Sequence, residues 1–264
     1  MDTNGYWTDK AAVVTGGARG QGAAIVYQLM AAGAHVHVVD CLPSIDVAWR
    51  ELHDHCFDLN GTLSVHEMDV GDPLAWVALS GLLSQGAHPL WGLVNNAGIT
   101  GVRNTVTQTE LPEWERVLKV NLTGAFLGIK ALAPLMPKGG AIVSISSTVG
   151  MTGYYSAAYS TSKWALRGLT KSAALELASA GVRVNCICPG VVDTEMIRTN
   201  TKLFEALQDI TPIGHMARAD QVADAMFFLL GPQASYITGI DLPVDGGITS
   251  GGIFWPVGRA VGAI

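Results

Sequence analysis

Cysteine is scarce in this chain. Only four of the 264 residues are cysteines, and none of them form a CxxC pair. Cys186 and Cys188 alternate along a β-rich run, so both should point to one face of a strand. This pattern favours reduced, buried thiols over a disulfide framework or a zinc site built on cysteine pairs.

Charge is also scarce, at 14% of residues with a formal net charge of −6. The 16 lysines and arginines are scattered without clusters, which argues against DNA or RNA as a partner. The N-terminus is polar, and we expect no apolar stretch of the roughly 18 residues that a membrane span needs. A soluble cytoplasmic protein without nucleic-acid or membrane partners is the prediction.

Metal ligands are sparse as well. His35 with His37, and His53 with His55, have spacings that could bind a metal ion. Neither pair has a third ligand nearby in the sequence, so we predict no metal site.

Apolar residues, at 49%, are plentiful, and they fall into short β-rich runs separated by longer helix-like stretches. The predicted strands are 11–15, 35–40, 63–67, 90–96, 141–147, 182–188 and 236–244. The predicted helices are 20–32, 45–56, 73–84, 112–136, 156–180 and 219–230. Continuous apolar strands alternating with helices predict an α/β fold, a doubly wound Rossmann-type domain over 1–264 with a seven-stranded, mostly parallel sheet. Two further segments are singled out, a substrate loop at about 191–217 and an apolar tail at 249–264.

A glycine-rich turn, "TGGARGQG", joins the first predicted strand to the first helix. Gly16, Gly20 and Gly22 give GxxxGxG, not the usual GxGxxG, yet they suit a pyrophosphate at a helix N-terminus. Asp40 ends the second strand, where a carboxylate accepts hydrogen bonds from an adenosine ribose and repels a 2′-phosphate. Arg19 could contact such a phosphate, but no basic residue follows Asp40, and NAD is preferred over NADP.

The motif "YSTSK" lies on the fifth predicted helix. Tyr159 and Lys163 are one turn apart on one face, and the loop after strand five can bring Ser146 or Ser147 toward them. A hydroxyl, a phenol and an ammonium group would then meet near the cofactor.

The order and spacing of eight motifs resemble the short-chain dehydrogenase/reductase family over about residues 8–248. The motifs are "TGGARGQG", "DV", "NNAG", "KVNLTGAF", "SISSTVG", "YSTSK", "VRVNCICPG" and "VDGG". The resemblance implies an NAD-dependent secondary-alcohol or hydroxysteroid dehydrogenase, with Tyr159 as acid/base. It also implies that Lys163 lowers the pKa of Tyr159 and binds the nicotinamide ribose, and that Asn121 holds a relay water.

The family's serine has two candidates. Ser147 fits S-x-x-G but lies 12 residues before Tyr159, one fewer than the common spacing, whereas Ser146 has that spacing. We favour Ser147.

The resemblance also assigns the cofactor contacts. They are Gly16, Arg19, Gly20, Gln21, Gly22, Asp40, Asp69, Val70, Asn95, Ala97, Gly98, Tyr159, Lys163, Pro189, Gly190, Val192 and Thr194. Gln21 departs from the usual isoleucine or leucine, and glutamine there occurs in members with tightly held cofactor. An enzyme with bound NAD and a separate electron carrier is therefore an alternative, as is a non-catalytic NAD-sensing regulator.

The predicted substrate is a hydrophobic secondary alcohol or ketone, either cyclic, steroid-like or aryl, because the surrounding residues are mostly apolar. Its predicted contacts are Ser147, Val149, Tyr155 and Met196. The apolar tail, with Phe254 and Trp255, would be sticky in water, and similar family members pack it across a two-fold axis. A homotetramer is the expectation.

Overall fold

A computed structural model describes residues 5–193, 201–252 and 254–264 of the chain. These residues contain one sheet of seven parallel strands, in the order β3-β2-β1-β4-β5-β6-β7. The strands are Ala11–Thr15 (β1), His35–Asp40 (β2), Thr62–Glu67 (β3), Leu90–Asn95 (β4), Ala141–Ile145 (β5), Arg183–Pro189 (β6) and Asp241–Val244 (β7). The prediction of a doubly wound seven-stranded sheet is confirmed.

Helices cover both faces of the sheet. They are Gly20–Ala31 (α1), Val47–Cys56 (α2), Pro73–Ser84 (α3), Leu111–Leu118 (α4), Gly124–Leu132 (α5), Ala157–Leu177 (α6), Thr201–Asp209 (α7), Ala219–Leu230 (α8), Ile248–Gly251 (α9) and Phe254–Ala260 (α10). Side chains alternate between the two faces of a sheet, so successive residues of a strand pack into the cores on opposite faces. Val14 packs with Ile25 of α1 and Met226 of α8, whereas Val13 packs with Trp76 of α3.

The predicted helix 112–136 is not continuous. A π-helical turn, Lys119–Thr123, separates α4 from α5, and a 3₁₀ turn, Ala133–Leu135, ends the segment. Such a turn takes in one extra residue and is frequent at functional sites. Asn121 lies within it.

The same segment bears on the membrane prediction. Taken as one helix, Leu111–Leu135 is long and apolar enough to cross a bilayer, with mean hydropathy 1.2, so the expectation that no stretch passes this test is wrong. Length and composition alone carry that result, and 44% of the apolar window is buried inside the protein, as in a core helix.

Two smaller expectations also differ from the structure. The last strand begins at Asp241 and not at 236, because Gly239 adopts a left-handed φ of 77° that interrupts extended backbone, and Tyr236 is fully exposed. Cys41 is exposed, whereas Cys56, Cys186 and Cys188 are buried as expected.

Candidate active site

The strand order reverses between β1 and β4, so the loops that follow these strands diverge and leave a crevice at the carboxyl edge of the sheet. Thr15, the last residue of β1, ties the two loops together. Its Oγ1 accepts hydrogen bonds from the backbone amides of Asn96 and Ala97, both at 3.0 Å. Asn96 Nδ2 in turn donates to the carbonyl oxygens of Thr15 (3.0 Å) and Gly16 (2.9 Å).

Sequence reasoning missed both of these residues and named Asn95 instead. Asn95 is buried in the sheet, where its Nδ2 lies 3.5 Å from Ser144 Oγ and its Oδ1 has no hydrogen-bond partner among the described residues. The signal for Asn96 was its place as the second asparagine of "NNAG", the first residue beyond β4.

The glycine turn fits a dinucleotide. A Cβ on Gly22 would lie 2.1 Å from the carbonyl oxygen of Gly16, so only glycine allows this close packing of turn and helix. Gly16 has a left-handed φ of 61°, and a Cβ there would meet Ala97. Gly20, at the start of α1, is exposed with open space around it, and the first turn of α1 has no acidic residue or side-chain cap. Its amides are therefore free to bind a phosphate.

Asp40 lies beside this turn, as expected. Its Oδ2 accepts a hydrogen bond from the amide of Ala18 at 3.2 Å, which fixes the carboxylate at the end of β2. Arg19 is exposed, and no described carboxylate pairs with it. At the end of β2, where an adenosine ribose is expected, the charged group that the structure holds in place is thus the carboxylate of Asp40.

Two further predicted cofactor residues, Asp69 and Val70, follow β3. Asp69 forms an ion pair with Lys119 at 2.9 Å and accepts the amide of Gly71 at 2.8 Å. These hydrogen bonds lower the pKa of its carboxyl. Val70 is buried, with its side chain against Gly124. The Asp69 side chain therefore anchors the loop to the π-helical turn, on which Lys119 lies.

Asn121 braces the loop after β4. Its Oδ1 accepts the amide of Ile99 at 2.8 Å, and its Nδ2 donates to the carbonyl of Ile99 at 2.9 Å and to Ser162 Oγ at 3.0 Å. Ser162 donates to the carbonyl oxygen of Tyr159 at 2.7 Å. Ser162, the second serine of "YSTSK", which sequence reasoning passed over, thus connects the π-helical turn to the helix of Tyr159.

Lys163 is buried on the same helix. Its Nζ donates to the carbonyl oxygen of Ile145 at 2.7 Å and lies 5.7 Å from the ring centre of Tyr159. A Cβ on Gly98 would be only 3.3 Å from this Nζ, so glycine makes room for the ammonium group. Burial lowers the pKa of Lys163 to about 8.

The phenol of Tyr159 has a raised pKa, because burial disfavours the charged form. A hydrogen bond with Ser147 and the charge of Arg103 act in the opposite direction. The sequence pointed to Lys163 as the cation acting on this tyrosine, and Arg103, which the sequence analysis did not name, is a second cation whose charge favours the phenolate.

The two candidate serines are in different surroundings. Ser146 is buried, and its hydroxyl donates to the carbonyl oxygen of Lys163 at 2.8 Å. Ser147 is half-buried, its Oγ accepts the amide of Val149 at 3.3 Å, and its hydroxyl lowers the pKa of Tyr159. Of the two serines, Ser147 is therefore the one whose hydroxyl acts on the phenol.

These groups open onto a cavity of about 290 Å³. Its walls are Gln21, Thr100, Arg103, Ser146, Ser147, Tyr154, Ser156, Tyr159, Pro189, Gly190, Val191 and Val192. Among the described residues the lining has one charged side chain, Arg103, which the sequence analysis did not name. Tyr154 lines it, whereas Val149 and the exposed Tyr155 do not. Thr194 and Met196, on the predicted substrate loop, lie outside the described residues.

A larger cavity of about 420 Å³ lies beyond β3, between Trp49 of α2 and Glu67. None of the residues from "SISSTVG" or "YSTSK" line it, so it has no part in the chemistry of the smaller one.

His35 lies close to two possible metal ligands that are distant from it in the sequence. A ligand atom of each of Asp9, His35 and His88 lies within 4.8 Å of the others. The rings of His35 and His88 are stacked at 3.3 Å and 9°, so their in-plane nitrogen lone pairs run parallel. Such lone pairs do not converge on one ion.

Known proteins resemble this chain over nearly its whole length. A family profile described as enoyl-(acyl carrier protein) reductase matches residues 16–249. The chain is 37% identical over 249 residues to the trans-4-hydroxycyclohexanecarboxylate dehydrogenase of Sinomonas cyclohexanicum, over 92% of this chain and 94% of that protein. It is 40% identical over 252 residues to the 3-alpha-(or 20-beta)-hydroxysteroid dehydrogenase of Mycobacterium bovis, which covers 94% of this chain and 92% of that protein.

A solved structure is similar too. A double mutant of a Serratia marcescens short-chain dehydrogenase/reductase superposes with a TM-score of 0.86 at 33% identity, over 92% of this chain and 99% of that one. Dehydrogenases of this kind use a nicotinamide cofactor, and the glycine turn, Asp40 and Gln21 Oε1, which no described residue binds, fit one. The chain therefore belongs to the short-chain dehydrogenase/reductase family and is a short-chain alcohol dehydrogenase.

Proposed function

We propose that this enzyme interconverts a cyclic secondary alcohol and its ketone with NAD as the hydride carrier, in the cytoplasm. The observation that supports this most directly is that Ser147 and Tyr159 share one cavity wall with Gln21 and Gly190 of the cofactor side. A substrate oxygen between the two hydroxyls would then lie near the cofactor.

Tyr159 is the proposed acid/base. Its phenolate oxygen accepts the hydroxyl proton of the alcohol, and in reduction the phenol returns that proton to the ketone oxygen. Ser147 donates a hydrogen bond to the same substrate oxygen and stabilises its developing charge. NAD, when bound, supplies the hydride acceptor.

Lys163 and Asn121 are proposed to position this pair. The ammonium group of Lys163 is aimed at the crevice beside Gly98, where it can bind the nicotinamide ribose. Asn121 fixes the loop of Ile99 and, through Ser162, the first turn of α6. Both therefore maintain the distance between cofactor and Tyr159 that the reaction requires.

The proposed substrate class follows the relatives, whose names describe a cyclohexane acid and a steroid. A cavity of about 290 Å³ is at the small end for ligand sites, which favours a single ring. A panel of cyclic, steroid and aryl secondary alcohols, read by nicotinamide absorbance with NAD and with NADP, tests the class. Absence of turnover across the panel would reject the proposal.

A second candidate is the same reaction with NAD held permanently and reoxidised by a separate carrier. Gln21 favours it, because its Oε1 is buried at the edge of the cavity, has no partner in the described ranges of the chain and could bind the cofactor. Cofactor that survives extensive dialysis would support this candidate.

We expect Asp40→Ser to change the cofactor preference. Removal of the carboxylate removes its repulsion of a 2′-phosphate, so the ratio of kcat/KM with NAD to that with NADP should fall by about 100-fold. Steady-state kinetics with both cofactors measures this ratio. The control is Glu67→Gln, which neutralises the carboxylate on β3 at the register position next to Asp40 of β2. It should change the NAD to NADP ratio less than about threefold. A wild-type enzyme that uses NADP as well as NAD would contradict the proposal.

We also propose a homotetramer, supported by exposed apolar side chains in the tail such as Phe254, Val257 and Val261. Light scattering at micromolar concentration should give about four times the 27.7 kDa chain mass. The double variant Phe254→Asp, Val257→Asp should lower the mass, whereas Ile45→Asp, at an exposed apolar residue before α2, should not. A monomeric wild-type protein would overturn this assembly.

A further inference from the structure

One charged side chain of the cavity lining neither transfers a proton nor binds the substrate oxygen in the proposed reaction. Arg103 is the only charged residue in the described lining, and it is exposed. No carboxylate among the described residues forms an ion pair with it. Glu113, which accepts the amide of the preceding Val102 at 2.6 Å, is paired with Arg116 at 2.8 Å.

The backbone on both sides of Arg103 is fixed. Val102 is held by Glu113, and the carbonyl oxygen of Asn104 accepts the amide of Ala157 at 3.1 Å. Asn104 Nδ2 also donates to the carbonyl of Gln108 at 3.1 Å. The guanidinium group is thus mounted on an anchored loop at the start of α6.

A second observation points to a ligand at this place. Ser156 is only 1% exposed and lines the same cavity, yet its hydroxyl has no hydrogen-bond partner in the part of the chain that the structure describes. It also precedes the 21-residue helix α6 without capping it. A buried hydroxyl without a partner is costly, and the N-terminus of a long helix carries partial positive charge.

We propose that Arg103, Ser156 and the N-terminus of α6 form a subsite for an anionic group, so that the substrate is a hydroxy or oxo acid whose carboxylate is remote from the reacting carbon. This inference rests on the proposed function, because it adds a group to the substrate of the same site. A guanidinium group binds a carboxylate through two parallel hydrogen bonds, which also orients the ring.

Paired substrates test the subsite. With trans-4-hydroxycyclohexanecarboxylate and its methyl ester, the wild-type enzyme should prefer the acid in kcat/KM by at least about 30-fold, since a lost charged hydrogen bond costs that order. Arg103→Met should remove this preference, mainly through KM for the acid, and Arg103→Lys should restore part of it. Any effect of Arg103 on Tyr159 is common to both substrates and cancels in the ratio.

Controls and a binding measurement complete the design. Arg50→Met removes an equal charge from α2 outside this cavity and should keep the preference. Ser156→Ala should reduce the preference by about tenfold. In calorimetry, cyclohexanecarboxylate should bind the wild-type protein but not Arg103→Met, and cyclohexanecarboxamide should bind neither tightly.

The outcomes separate the two proposals. Equal turnover of acid and ester, with Arg103→Met affecting both alike, overturns the subsite and leaves the proposed function intact. Absence of turnover with Arg103-dependent binding of the carboxylate keeps the subsite and rejects the function. Binding of the carboxylate that survives Arg103→Met also overturns the subsite.

Discussion

Tyr159→Phe should lower kcat by about 10³-fold and leave the Kd of NAD within about twofold of wild type. The substitution removes one hydroxyl, which is the proposed proton acceptor, and retains the ring that packs at the start of α6. Stopped-flow or steady-state absorbance gives the rate, and quenching of protein fluorescence gives the affinity for NAD. A normal Kd would show that the cofactor site is still folded.

Tyr155→Phe is the matched control. It makes the same chemical change four residues earlier, at a side chain that is 56% exposed and outside the cavity, and should keep the rate within about twofold. A Tyr159→Phe enzyme that retains a tenth or more of the wild-type rate would remove Tyr159 from the acid/base role.

Ser147→Ala should lower kcat by about 10²- to 10³-fold, because a hydrogen bond to the developing charge on the substrate oxygen is lost. Its effect on stability should be small, about 1 kcal/mol, since its Oγ accepts only the 3.3 Å hydrogen bond from Val149. Kinetics and thermal unfolding of the same preparation separate these two effects.

For the neighbouring Ser146→Ala we expect the opposite result for catalysis, a loss of stability with little change in kcat. Its hydroxyl is buried and donates to the carbonyl of Lys163, so its loss removes a buried hydrogen bond and should cost about 1 kcal/mol of stability. Its kcat should stay within a few-fold of wild type. If Ser146→Ala were the inactive variant and Ser147→Ala the active one, the assignment of the two serines would be reversed.

Sequence reasoning located the strands because a strand buried on both faces is continuously apolar, and this pattern is local. It located the glycine turn for a similar reason, since the type of residue itself reports the backbone that it permits. Neither the π-helical turn nor the end of the last strand has such a signature. Both depend on how the segment packs against the rest of the molecule.

The site was harder to predict where it depends on contacts between distant loops. Thr15 and Asn96 are 81 residues apart, and Arg103 meets Tyr159 only after β4 and β5 are adjacent. The choice between Ser146 and Ser147 depended on one residue of spacing, whereas the structure separates them by hydrogen-bond partners. The apolar composition around "YSTSK" also gave no sign of Arg103, which reaches the cavity from another loop.

The π-helical turn also determines what the loss of one residue would do to this segment. A π-helical turn takes in one residue more than an α-helical turn, so its five residues turn the chain about as far as four residues of an α-helix would. Deleting one residue of Lys119–Thr123 would therefore let α4 run into α5 as one regular helix and keep their buried faces in register. The same deletion would remove the widened turn on which Asn121 lies, so it should spare the fold and displace Asn121 from Ile99 and Ser162.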